Sequence, residues 1–165
     1  MQITKLWLVL VGILCIAATA HAQEMNASGR NVPDMKLTTI PGLPTCTLGS
    51  VENGDPTKGP SIVFSKVPAG CSIPWHWHTP TERVMIVSGV ARIDMKDEKP
   101  LTLRSGGFAM LPSHHVHQFT CEQSCEMYIY ADAAFDIHYV NAQGGEIPPA
   151  DALKAVKEKV ATGSN

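Results

Sequence analysis

Four side chains, His76, His78, Glu82 and His117, are of the kinds that bind a divalent metal ion. They fall in two spaced patterns. The first is Gly70-x5-His76-x-His78-x3-Glu82-x6-Gly89; the second is Gly106-x5-Pro112, with His117 five residues further on. A lone His-x-His carries little weight, since two histidines on one strand are common. Here the spacing adds a carboxylate, a third imidazole, a turn proline and glycines at both ends. Three imidazoles and one carboxylate form a nitrogen/oxygen set suited to one divalent transition metal (Fe, Mn, Zn, Ni or Cu), with room for water or a small-molecule substrate. Glu82 has two readings. It ligates throughout, or it swings off as a general base, which requires a pKa raised toward neutrality. His138 is a second catalytic candidate, as a hydrogen-bonding or proton-transfer group entering the pocket from the segment Phe135–Val140.

The elements that would position these groups read as strands. Side chains alternate faces along a strand, so His76 and His78 share one face and Trp77 takes the other. Pro80 cannot donate to a sheet ladder and marks a break before the apolar run that follows Glu82. Met35–Ile40, Ile62–Val67, Leu101–Arg104, Phe108–Leu111, His117–Cys121, Cys125–Ala131 and Phe135–Val140 read as further strands. Arg83–Ser88 and Val90–Met95 read as a hairpin turning at Ser88-Gly89. Many short strands separated by Gly/Pro turns make an all-β sandwich or barrel. Only the end has a helical period, with Pro149 at a first turn and Leu153, Val156 and Val160 on one stripe.

At these motifs the chain resembles the cupin superfamily. Residues 70–89 fit the first cupin motif at every specified position. Residues 106–121 fit the second with two departures: His114 where glycine is usual and Cys121 where asparagine is usual. The similarity covers about Ile62–Tyr139. It implies a small double-stranded jelly-roll β-barrel, with His76, His78, Glu82 and His117 as metal ligands. It also implies a homodimer, since cupins often pair through sheet faces or edge strands. His114 puts the turn geometry in question, because glycine is favoured where φ is positive.

Residues 1–22 read as a signal peptide: a basic start, an apolar stretch from Leu6 to Ala18, and the small-x-small site Ala20-His21-Ala22. Cys15 is not read as a lipidation site, because Leu14 stands where a small residue is expected. The organisation that follows is an arm at 23–34, a barrel at 35–147 and a C-terminal helix and tail at 148–165. The mature chain keeps Cys46, Cys71, Cys121 and Cys125, an even number that suggests disulfides in an exported, periplasmic or secreted protein. Three pairings are possible. Cys121–Cys125 is favoured, across a short hairpin loop Glu122-Gln123-Ser124, which leaves Cys46–Cys71; a free thiol near the site is the alternative. A formal net charge of −2 with no basic run argues against nucleic acid. No segment of the mature form is apolar enough to span a membrane.

Other candidates have plainer readings. Trp75 would stand at the pocket mouth or in barrel packing, and Trp77 in packing. His114 and His115 belong to the turn and rim. Met85, Met95, Met110 and Met127 read as core filler, and Arg83 and Arg104 as solvated surface. Tyr128 and Tyr130 share one strand face, either lining the cavity or packing outside. For the metal site three functions stand: a dioxygenase-like oxidoreductase, a non-redox lyase, isomerase or decarboxylase, and a non-catalytic metal or small-ligand binding module.

Overall fold

The structure, a computed structural model, describes residues 27–162; for Ala155 and residues 157–162 it describes the backbone only. The signal-peptide reading, the cleavage site and the side chain of Val160 lie outside the described residues. The chain divides into two units, residues 1–30 and 31–165. The fold below is that of the second.

Among the described residues nine strands, all paired antiparallel, make one curled sheet. They are β1 (Thr38–Thr39), β2 (Leu48–Gly54), β3 (Ser61–Val67), β4 (Ser72–Trp77), β5 (Glu82–Met95), β6 (Leu101–Arg104), β7 (Phe108–Leu111), β8 (His117–Ala131) and β9 (His138–Tyr139), followed by helix α1 (Pro149–Thr162). The expected jelly-roll barrel with a short C-terminal helix is the fold observed.

Its frame is the long antiparallel ribbon of β5 and β8, paired from Glu82↔Ala131 to Met95↔His117. The first half of β5 also pairs with β7, and the second half with β6. The two halves of β8 pair with β4 and β3. The ribbon therefore belongs to two leaves, β1-β2-β3-β8-β5-β7 and β6-β5-β8-β4-β9. Val84, Ile86, Leu111 and Met127 from the first leaf meet Ile93, Leu103 and Phe119 from the second in one core.

The ribbon turns the corner at an irregular register between Ile86 and Ala91. Here the structure corrects two hairpins. Arg83–Ser88 and Val90–Met95 are one strand, and so are His117–Cys121 and Cys125–Ala131. Gly89 has φ 88°, and a Cβ there would lie 2.2 Å from the Ser124 carbonyl oxygen and 2.5 Å from that of Gln123. The glycine marks a bulge where two backbones approach closely, not a chain reversal. The bulge changes which residues of β5 face inward, from Glu82, Val84 and Ile86 to Ala91 and Ile93.

Other boundaries differ too. Of Met35–Ile40 only Thr38–Thr39 pairs, and of Phe135–Val140 only His138–Tyr139. Strand β2, with its Gly-Ser and Asn-Gly pairs, has no clear apolar alternation and was not expected. Met127 is core, but Met110 is 54% exposed, because Ala109 and Leu111 take the inward positions of β7. Arg104 is exposed, and Arg83 lies on the surface against Asp132 and over the Tyr130 ring.

Both favoured disulfides form. Cys46–Cys71, separated by 25 positions, ties the segment before β2 to the start of β4. Cys121–Cys125 lies within β8, across the bulge rather than a hairpin loop. In α1, Ala152 is buried, while Leu153 and Val156 border a groove with Leu43 and Pro44.

Candidate metal centre

Each histidine of the cluster is placed by a strand end. His76 lies near the end of β4, where it pairs with His117, the first residue of β8. His78 follows β4 directly, and its carbonyl accepts from the backbone N–H of His114 at 2.8 Å. Glu82 opens β5 on the other leaf, opposite Leu111 and Ala131. All four side chains are buried. The three imidazoles bring nitrogen atoms within 4.8 Å of one another, an arrangement that could hold a metal ion. The Glu82 carboxylate oxygen Oε2 stands 3.7 Å from Nε2 of His78 and 3.6 Å from Nε2 of His117.

The other ring nitrogens fix the tautomers. Nδ1 of His76 lies 2.6 Å from the Pro74 carbonyl oxygen, Nδ1 of His78 2.5 Å from that of Asp136, and Nδ1 of His117 2.8 Å from that of His115. A carbonyl oxygen only accepts, so each Nδ1 carries the proton and donates. In the neutral ring this leaves the lone pair on Nε2, as ligation requires. Burial, reinforced by the neighbouring imidazoles, holds the pKa of His76 well below the ordinary histidine value. Burial also lowers that of His78. Both therefore stay neutral into mildly acid solution, in the state that binds metal.

Burial pushes the Glu82 pKa up, and the neighbouring His78 and His117 imidazoles, when protonated, pull it down by more. With Oε2 3.6–3.7 Å from Nε2 of both rings, the buried carboxylate is placed to join the imidazoles as a ligand.

His138 is not brought to the cluster. It is the cross-strand partner of Trp77, whose side chain alternates away from His76 and His78. The two rings stack at 3.9 Å with an interplanar angle of 3°. The His138 ring nitrogens face Asp136 at 3.4 Å and Glu146 at 3.2 Å, on the outer surface. The inward residue of β9 is Tyr139, paired with His76, buried, and donating through its hydroxyl to the Gly42 carbonyl at 2.8 Å. The expected pocket role of His138 thus has the wrong strand parity.

His114 adopts φ 61°, so the turn keeps its left-handed conformation without glycine, and its ring also stacks on Trp77 at 4.4 Å. His115 lies at the rim against Glu98. Trp75 borders an outer groove with Lys96 and Val116 instead of the pocket mouth. Tyr128 and Tyr130 alternate with the cavity-lining Met127 and Ile129, and pack outside.

Sequence reasoning missed the apolar lining beside the imidazoles, chiefly Leu43, Ile129 and Phe135. Ile129 shares the inward parity of β8 with His117 and was accessible by alternation. Leu43 and Phe135 come from irregular segments and carry no periodic signal.

The sequence profile of the family described as Cupin domain matches residues 63–131. Among solved structures, a putative acetylacetone dioxygenase from Methylibium petroleiphilum superposes with a TM-score of 0.60 at 15% identity, covering 76% of this chain and 89% of that one. An RmlC-like cupin from Shewanella frigidimarina does so with a TM-score of 0.54 at 14% identity, over 66% and 92% of the two chains. No curated protein matches by sequence. What the curled jelly-roll buries here is a cluster of three imidazoles that could hold a metal ion. The fold is that of the cupin structures, and residues 63–131 carry the match to the Cupin domain profile.

Proposed function

We propose that this protein is a divalent-metal-binding cupin that acts as a dioxygenase-like oxidoreductase on a small chelating organic substrate. The observation that carries the reading is the set of three Nε2 lone pairs, freed by three backbone carbonyls and joined by the buried carboxylate of Glu82. His76, His78, Glu82 and His117 would hold one metal ion. A redox-active ion bound there would supply Lewis acidity and one-electron chemistry toward oxygen. The residues themselves fix the orientation of the imidazoles and surround them with apolar groups that exclude water. Likeness to the putative acetylacetone dioxygenase is in keeping with this reading.

The lyase, isomerase or decarboxylase alternative needs a protein group that moves a proton. His138 faces outward, away from the cluster, which favours the oxidoreductase. The binding-module reading shares the same ligands and differs only in lacking turnover. Export to the periplasm or outside the cell after loss of residues 1–22 belongs to the same proposal. Two disulfides favour an oxidising compartment, and among the described residues no helix is long and apolar enough to cross a membrane. The homodimer is also part of it, and sedimentation of the exported form tests that.

The deciding experiment is oxygen consumption by Fe(II)- or Mn(II)-loaded protein with catechol and acetylacetone, beside a His76→Ala/His117→Ala control. Uptake of one metal and oxygen consumption absent from the control are expected. One bound metal with no turnover on any chelating substrate would favour the binding module. No metal uptake would overturn the site.

A further inference from the structure

The space that touches the imidazole cluster is about 30 Å3. That is roughly enough for one or two waters and too small for an organic molecule. Next to it lies a second cavity of about 200 Å3, against β2, β3 and the segment around β1. Leu43, Ile129 and Phe135 border both spaces. The Phe135 ring lies 4.5 Å from the His78 imidazole at an interplanar angle of 34°. Leu43 follows the turn residue Gly42, at φ 82°, and its N–H donates to the Ile40 carbonyl at 3.1 Å. Away from this partition the larger cavity is walled by apolar side chains such as Ile40, Val51 and Val63. The single charged side chain on its lining is the exposed Lys36.

Resting on the reading of the cluster as a metal centre, we propose that this outer cavity binds the apolar body of the substrate. Phe135 is the gate that its chelating end passes to reach the metal. A largely apolar lining, whose one cation is exposed, favours an apolar body over a sugar or a phosphate ester. A cavity of about 200 Å3 is smaller than the roughly 300–1,000 Å3 typical of sites for drug-sized ligands. The body is therefore one ring or a short branched chain, and fused polycycles such as flavonols are excluded. Two adjacent oxygens at one end, as in an alkylcatechol, meet the metal requirement while the alkyl group fills the outer cavity.

The test uses the full chain loaded with Co(II) under nitrogen, titrated with catechol and 4-tert-butylcatechol and followed by the visible Co(II) spectrum. The alkyl compound is expected to bind at least tenfold more tightly. Val51 stands 43% exposed at the cavity wall, so Val51→Trp should fold while filling the space and erasing the preference. Thr39→Trp, from another exposed wall position, repeats the test if the first variant is unstable. Phe135→Ala should keep the preference and speed association at least tenfold in stopped flow; an unchanged rate removes Phe135 as the gate. Equal affinity for the two catechols, or a preference that both tryptophan variants retain, overturns the cavity assignment. A metal-free arm separates the two layers of the argument. 4-tert-Butylphenol, which lacks the chelating pair, should bind His76→Ala/His117→Ala protein and not its Val51→Trp derivative by ligand-detected NMR. Cobalt uptake without alkyl preference or phenol binding would leave the metal centre standing and sink the cavity. Phenol binding sensitive to Val51→Trp, without cobalt uptake, would do the reverse.

Discussion

At the scale of single residues, the metal centre is a matter of which nitrogen holds a proton. Substituting His117 by Ala removes one Nε2 from a buried cluster, and elemental analysis is expected to show loss of bound metal with the barrel still folded. Wild-type metal content in that variant would refute the ligand set. The same protons make a prediction about pH. His76 and His78 have folded pKa values below their unfolded value of about 6.5. Above that pH both states are neutral and contribute no slope. Below it the unfolded chain takes up protons first, so metal-free protein should lose stability as pH falls toward the folded values. The loss is up to about 1.4 kcal/mol per pH unit for each histidine. Glu82 adds to it in more acid solution, since stability from a lowered carboxylate pKa is lost as pH falls through the folded value. Urea midpoints of metal-free protein between pH 7.5 and 5 check this, and a flat profile contradicts it. The three histidines that the structure brings together were legible because residue type and spacing both carried the signal. The error at His138 was one of parity: a two-residue strand in an irregular segment gives no alternation by which to tell it from Tyr139.

At the scale of elements, the bulge in the β5–β8 ribbon sets how the two leaves close. A side chain at Gly89 meets two carbonyl oxygens in a left-handed conformation. Gly89→Ala should therefore destabilise by more than the ~1–2 kcal/mol that the conformation alone costs. Thermal unfolding would show this as a fall of several degrees, and an unchanged midpoint would mean that the ribbon bends some other way. The disulfides predict a second asymmetry. Closing a 25-residue loop removes more unfolded-state freedom than closing a 4-residue one, about 3–4 kcal/mol against about 2. Cys46→Ser/Cys71→Ser should accordingly lower the unfolding midpoint more than Cys121→Ser/Cys125→Ser. Most strands were legible by alternation and by Gly/Pro punctuation. The ribbon was not, because Ser88-Gly89 has the composition of a turn whether the chain reverses there or bulges. Only the backbone it faces distinguishes the two, and Gln123–Ser124 lie far away in sequence.

At the scale of the molecule, the four candidate ligands come from β4 and the residue that follows it, from β5 and from β8, and so from both leaves. An ion bound there cross-links the barrel, so Zn(II) or Mn(II) should raise the unfolding temperature in a concentration-dependent way. The gain is about 2.7 kcal/mol at a hundredfold excess over Kd. The same titration of His76→Ala/His117→Ala protein should show no shift, and an equal shift would place the ion elsewhere. The supports of the three imidazoles have a different kind of consequence. The oxygens that hold their Nδ1 protons belong to the backbones of Pro74, His115 and Asp136, not to side chains. Those three positions can change identity over generations without altering the orientation of any ligand ring, provided the main chain keeps its path. Selection on such a centre acts on four side chains and a backbone trace, which leaves the surrounding sequence free to drift while the centre persists.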